Sequence, residues 1–366
     1  MSEYKSALPE YPLTRDMWDI LKEESRPIVI YGMGNGADKL IARLDSYGVT
    51  VADIFASDGF VRGHEFHGIR VKSFAEIKEK YSDFVILLSF ATRLGDVMSL
   101  IAEMDREYEL YIPDMPVAGE DEYFDRAFFN SHYAELCEAR QRLCDEESRR
   151  VFDSVVNYKL TGKLSYLLEA TVDKDALYGE LPCESIKSYI DAGAYNGDTL
   201  REAIEYFPNL GYATLIEPDP KTFKRLNKYL GGVSLPVNAL NMAVWNCVGE
   251  ASFQGAGNRN SSVSSTASFE HKDTAVRTLS VDSLDISPDY IKYDVEGAEK
   301  EALIGSSETI GRCHPTLLVS LYHRSRDIFS IVNYLGREYP FYKMKLRRLS
   351  CIPAWELNLI LTDSSV

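Results

Sequence analysis

Two carboxylates and two glycines, spaced as a strand end, a turn and a second strand end, carry the clearest chemical signal in this chain. An apolar run ends in Asp191, and Gly193 and Gly197 follow at a Gly-x-x-x-Gly spacing before a helical pattern begins near Asp198 and Thr199. Glycines at such a turn let a ligand approach the backbone. One strand–helix–strand further on, a second apolar run ends in Glu217, followed by Pro218 and Asp219. A carboxylate at that place accepts from ribose hydroxyls in dinucleotide folds. The turn alone is common. The turn followed by the acid points to a nucleoside-type cofactor.

The elements that position these groups read as α/β, with two Rossmann-like doubly wound sheets joined by a helical segment. The first unit, residues 26–116, opens with Ile28-Val29-Ile30-Tyr31 and the turn Gly32-Met33-Gly34-Asn35-Gly36. Further strands are expected over 49–57, ending at Asp58, and over 84–88. A connector, 117–184, has Phe124, Phe128, Leu136, Leu143, Phe152 and Val156 at helical intervals, with Gly162 as a breaker. The second unit, 185–366, has expected strands at 187–192, 213–217, 237–244, 291–295, 316–322 and 356–362. Another is expected over 340–346. There and just beyond, Lys343, Lys345, Arg347 and Arg348 form a basic patch whose alternation at 343, 345 and 347 puts charges on one strand face, ordinarily a solvated one and otherwise a site for phosphate.

Composition narrows the partners. The chain has 366 residues, 45% hydrophobic and 26% charged, with a net charge of -16. An acidic surface of that size is a poor match for a nucleic-acid backbone. Six scattered cysteines without a Cys-x-x-Cys pair suit a reducing compartment. No stretch reads as a signal core or a membrane span. The expectation is a cytoplasmic protein with no membrane partner, and a homo-oligomer is left open.

Four segments together resemble the FkbM-type methyltransferases: Asp191–Thr199, Ile216–Pro220, Asn241–Val244 and Ile291–Glu299, the last being the most family-specific. Leu321-Tyr322-His323-Arg324 is similar to that family's C-terminal signature. The resemblance covers about residues 178–361. It implies a class I methyltransferase fold for the second unit, S-adenosyl-L-methionine as cofactor, and methyl transfer to a hydroxyl of a saccharide, nucleotide sugar or similar polar metabolite. Gly193, Ala194 and Gly197 would then lie along the cofactor's methionine part, with Asp191, Asp198 and Thr199 beside them. Glu217, with Pro218 and Asp219, would hold the ribose, and Asn241, Ala243 and Val244 would flank the adenine.

Methyl transfer is an in-line displacement, so the protein's task is alignment, exclusion of water and removal of a proton. Asp294 and Glu296 close one expected strand and His323 follows another. The histidine's ordinary pKa, about 6.5, suits a base at neutral pH. A carboxylate would need its pKa raised by burial, against the pull of Lys292 or Arg324. The expectation is therefore His323 as base, with Asp294 and Glu296 orienting the acceptor or capping the following helix. Their oxygens also suit a divalent cation, which the spacing does not demand, and no metal ligand is assigned. Arg324 and Arg326 are candidates for an anionic acceptor, and the loop 255–265 for a lid or a surface hairpin.

The first unit is similar to the nucleotide-binding domain of sugar-modifying acyltransferases, over about residues 26–93. Two other readings stand at this point: a nicotinamide-dependent oxidoreductase working through the first unit, and a non-catalytic nucleotide-sugar binding protein.

Overall fold

The computed structural model describes residues 7–61, 63–118, 122–254, 262–264 and 274–363. In the first unit run β1 (Ile28–Tyr31), β2 (Val51–Phe55), the short antiparallel pair β3 (Glu65–Phe66) and β4 (Ile69–Arg70), β5 (Val85–Leu88) and β6 (Glu109–Tyr111). Four of these make a parallel sheet in the order β2-β1-β5-β6. β1 and β5 are buried at every position, as continuous apolar runs must be when helices cover both faces. The helix Phe74–Lys80 is started by a reciprocal Ser73–Glu76 capping box.

The second unit holds β7 (Ser188–Ala192), β8 (Tyr212–Ile216), β9 (Val237–Leu240), β10 (Ala243–Val244), β11 (Gly249–Gln254), β12 (Ser262–Ser264), β13 (Thr274–Leu279), β14 (Tyr290–Tyr293), β15 (Thr316–Ser320), β16 (Tyr342–Arg348) and β17 (Leu357–Asp363). Its main sheet has seven strands in the order β16-β17-β15-β14-β7-β8-β9. The run from β15 to β9 is parallel, and β17 and β16 close it antiparallel. This is a Rossmann-like sheet ending in a hairpin. The single strand expected over 237–244 is two. Asn241 Nδ2 donates to the carbonyls of Glu217 and Pro218 at 2.8 and 3.0 Å, which turns the chain there and sends β10 into a separate sheet ordered β10-β13-β11-β12.

Between the units lie the helices Arg126–Ser131, Tyr133–Arg142, Glu146–Thr161 and Leu164–Glu169. Glu146–Thr161 ends at Gly162, whose φ of 64° is left-handed. It is buried over most of its length, including two charged residues that are each paired. Arg140 grips Asp153 through two bonds of 2.7 and 2.8 Å, and Lys159 reaches Asp114 at 2.6 Å. One apolar core runs from Val29 and Tyr31 through Phe152 and Val156 to Ile190, Leu317 and Leu359. The connector is the filling between two sheets.

Only part of the basic segment of β16 is a solvated face: Lys343 is exposed and Lys345 half-buried. Arg347 is buried against Asp145 and Glu180, and Arg348 is 1% exposed, donating to the Cys351 and Leu167 carbonyls and to Thr171. Burial pulls the Arg348 pKa down to about 10. β16 is an edge strand, but its arginines point into the seam with the connector. Among the described residues no helix is long and apolar enough to cross a membrane.

Candidate functional site

A cavity of about 520 Å³ opens at the carboxyl ends of the parallel strands, where open α/β sheets place their ligands. Gly193, Tyr195, Thr199, Glu217, Ala243 and Val244 line one side. Asp294, Glu296, Tyr322, Trp355, Glu356 and Asn358 line the other, joined by Arg93 from the first unit.

On the first side Glu217 is anchored before any ligand arrives. Its Oε2 accepts from the Tyr195 backbone N–H at 2.9 Å and its Oε1 from that of Asp219 at 2.8 Å. Each oxygen keeps a further lone pair for a hydroxyl. Burial raises the Glu217 pKa to about 7 against the pull of those two N–H groups. Asp219 caps the helix Pro220–Leu230 by accepting from Thr222 N at 2.7 Å. Asp191 lies wholly buried behind the turn, taking a hydrogen bond from Thr199 Oγ1 while its Oδ1 has no hydrogen-bond partner. Burial lifts its pKa to about 6, opposed by Lys292 and Thr199.

The two glycines serve the protein first. At Gly193, φ 90°, a Cβ would lie 1.9 Å from the carbonyl oxygen of Asp294. At Gly197, φ 85°, it would meet the Tyr229 ring at 2.5 Å. Gly193 therefore brings the loops after β7 and β14 into contact, and the cavity gains a continuous floor.

On the second side sits a dense group of charges. Lys292, buried on β14, lies 3.2 Å from Asp294 Oδ2 and 3.7 Å from Asp191 Oδ1. Asp294 also accepts from Tyr322 Oη at 3.0 Å. Burial opposes its charge, but Lys292 and His323 hold the Asp294 carboxyl well below the usual carboxylate range. Glu296 has a left-handed φ of 55°, which holds its side chain at the cavity wall at a cost of roughly 1–3 kcal/mol. Its Oε2 has no hydrogen-bond partner. Burial pushes its pKa up to about 8, with Asp294 and Glu299 adding to the rise and His323 opposing it.

His323 departs from expectation. It is 0% exposed and does not line the cavity. Its Nδ1 faces Glu299 Oε1 at 2.9 Å, and its Nε2 is 3.5 Å from Glu296 and 3.6 Å from Asp294. Burial would lower its pKa, but the three carboxylates overcome this and raise it to about 10. The ring is an imidazolium at neutral pH, behind the wall. The expected pull of Lys292 on Glu296 falls on Asp294 instead, and Arg324 is occupied by the Gly297 carbonyl at 2.7 Å. Glu299 ties the turn by accepting from Val295 N at 2.9 Å. Asp294, Glu299 and His323 offer donor atoms within 4.8 Å of one another, a spacing a cation could share.

Ala194, Gly197 and Asn241 also lie outside the lining, as parts of the supporting turns. Arg326 pairs with Glu122 on the surface. Of the loop 255–265, only 262–264 fall within the described residues. Of the glycine turn in the first unit, Gly34 has open space beside it, but Gly32 and Gly36 are packed by protein: a Cβ on Gly32 would meet Phe90 at 2.5 Å, and one on Gly36 the Ser89 carbonyl oxygen at 2.0 Å. Those glycines admit residues 89–90.

Residues 191–341 match the family model described as the methyltransferase FkbM domain. No curated protein matches the chain. Among solved structures, the methyltransferase FkbM from Methylobacillus flagellatus KT superposes with a TM-score of 0.71 at 20% identity, covering 92% of this chain and 90% of that one. Both units therefore share its fold. Looser likenesses, each over about half of this chain, are to Aeropyrum pernix fibrillarin with natively bound S-adenosyl-L-methionine (TM-score 0.33, 14% identity, 51% of this chain and 70% of that one) and to precorrin-6y C5,15-methyltransferase from Geobacter metallireducens GS-15 (0.32, 12%, 52% and 91%).

Proposed function

We propose, from the premise that residues 191–341 form a methyltransferase FkbM domain, that the protein is an S-adenosylmethionine-dependent O-methyltransferase acting on a hydroxyl of a saccharide or similar polar metabolite. The observation that carries this is one cavity with an anchored acid, Glu217, on one wall and a carboxylate of raised pKa, Glu296, on the other. The donor set fits the expected cofactor. Glu217 has lone pairs left for ribose hydroxyls, Ala243 and Val244 offer apolar flanks for adenine, and the surrounding carboxylates suit a ligand of net positive charge. When bound, the cofactor supplies an electrophilic methyl group.

The chain's own residues do the rest. Asp294, kept ionised by Lys292 and fixed by Tyr322, orients the acceptor. Glu296 takes the hydroxyl proton, because a carboxylate with pKa about 8 is matched to that task near neutral pH. His323 is a positioning residue that holds Glu296 from behind. Calorimetric titration with S-adenosylhomocysteine tests the reading. Binding should be saturable, and Glu217→Ala should weaken it by roughly 1.5–3 kcal/mol, about tenfold or more. Equal affinity in a folded variant would remove Glu217 from the cofactor site.

A further inference from the structure

Every cation that lines the cavity among the described residues is already held by a carboxylate. Lys174 pairs with Glu202, and Lys292 lies between Asp191 and Asp294. Arg93, the third, pairs with Glu356, and both side chains of this pair line the cavity. Other cations of the second unit are tied as well: Arg324 to the Gly297 carbonyl, Arg326 to Glu122, and Lys345 with Arg347 to Glu180. The acceptor-side wall otherwise presents Asp294, Glu296, the amide of Asn358 and the rings of Tyr322 and Trp355. These rings lie 6.3 Å apart and 26° from parallel. An anionic ligand would find carboxylates there and, among the described residues, no uncommitted cation. A polyol would find acceptors for its hydroxyls and ring faces for its C–H groups.

The pair is also held in place by backbone. Thr92 and Ile352 exchange two hydrogen bonds, at 2.7 and 3.0 Å. They fasten the loop after β5 to the turn between β16 and β17. Glu356 follows at a left-handed φ of 63°, with its carbonyl taken by Leu349 N and Asn358 Nδ2. Arg93 comes from the first unit and Glu356 from the second, so the wall is complete only where the two meet.

We infer that the Arg93–Glu356 pair makes the acceptor site charge-selective, admitting an uncharged polyhydroxylated acceptor and rejecting one that carries phosphate. The inference rests on the methyltransferase reading and narrows it, since it sets aside nucleotide sugars. Glu356 is the residue that enforces the choice. It neutralises the one guanidinium that lines the cavity among the described residues.

The test uses the full chain and two anionic probes, uridine diphosphate and inorganic pyrophosphate, titrated calorimetrically with and without saturating S-adenosylhomocysteine. Wild type should bind neither below the millimolar range, and Glu356→Gln should bind both at least about tenfold more tightly by releasing Arg93. The gain should vanish in the Arg93→Ala, Glu356→Gln double variant. Micromolar binding of either probe to wild type overturns the inference, and binding of the diphosphate alone would show that the nucleoside is what is read. No gain in a Glu356→Gln variant of unchanged circular dichroism also overturns it. Failure of S-adenosylhomocysteine to bind would sink the methyltransferase reading instead, and the probe titrations on the unliganded chain would still decide the selectivity.

Discussion

At the scale of single residues, the types that do the chemistry stand plainly in the sequence, while their charge states do not. Asp294, Glu296 and His323 are recognisable as strand-end groups. Which one is ionised depends on neighbours that only the fold assembles. Three carboxylates from the one turn after β14 converge on His323 from the loop after β15, raising its pKa to about 10, while burial and the neighbouring carboxylates raise Glu296 to about 8. The sign of the pH dependence follows. A base must be deprotonated to work, so turnover should rise with pH to a plateau above about 8, and that limb should be absent from Glu296→Gln. This variant should lose 10²–10⁴ in kcat, on the order expected for general base catalysis, with S-adenosylhomocysteine affinity kept. His323→Gln removes a positive charge beside Glu296, so its limb should shift to higher pH. A limb that disappears in His323→Gln, and persists in Glu296→Gln, would return the role of base to the histidine.

At the scale of elements, strands buried on both faces were legible and short or polar ones were not. β1, β5, β7, β8 and β15 announce themselves as apolar runs. The pair β3–β4 has two residues per strand, and β11 to β13 alternate with polar residues in a segment rich in turn formers, so periodicity gave no warning of a separate small sheet. The side on which the β16 arginines are used was equally hidden, because it depends on Asp145 and Glu180 arriving from the connector. Gly193 shows how a turn can be read correctly in kind and incompletely in purpose. Its lack of a side chain is required by the Asp294 carbonyl, a contact between loops about a hundred residues apart in sequence. Gly193→Ala should therefore destabilise the fold by roughly 2–4 kcal/mol, combining a left-handed backbone with overpacking. Urea denaturation without cofactor is the measurement, and a change under about 1 kcal/mol would mean that the loops do not touch.

At the scale of the whole molecule, the division into 26–116, 117–184 and 185–366 follows the sequence's change of pattern, but the connector's apolar residues pack towards both sheets. The sequence invites the expectation that the first unit is dispensable for cofactor binding. The contacts point the other way: Thr92 pairs with Ile352, and Ala118 N donates to the His323 carbonyl at 2.9 Å beside the charged cluster. A chain beginning at residue 122 should melt well below the full protein and bind S-adenosylhomocysteine more weakly. Equal melting and equal affinity would establish the second unit as self-sufficient. The buried helix Glu146–Thr161 bears on how the protein is made. Its covering includes β16, whose Leu346 N donates to Ser148 Oγ at 2.9 Å, while Met344 lies beside Leu143 and its carbonyl accepts from Cys144 N. On the ribosome this helix emerges long before the strand that seals it, because β16 follows only after the whole parallel part of the second sheet. The nascent chain must carry an open apolar seam over that interval, and the arrival of β16 is the event that lets the core close.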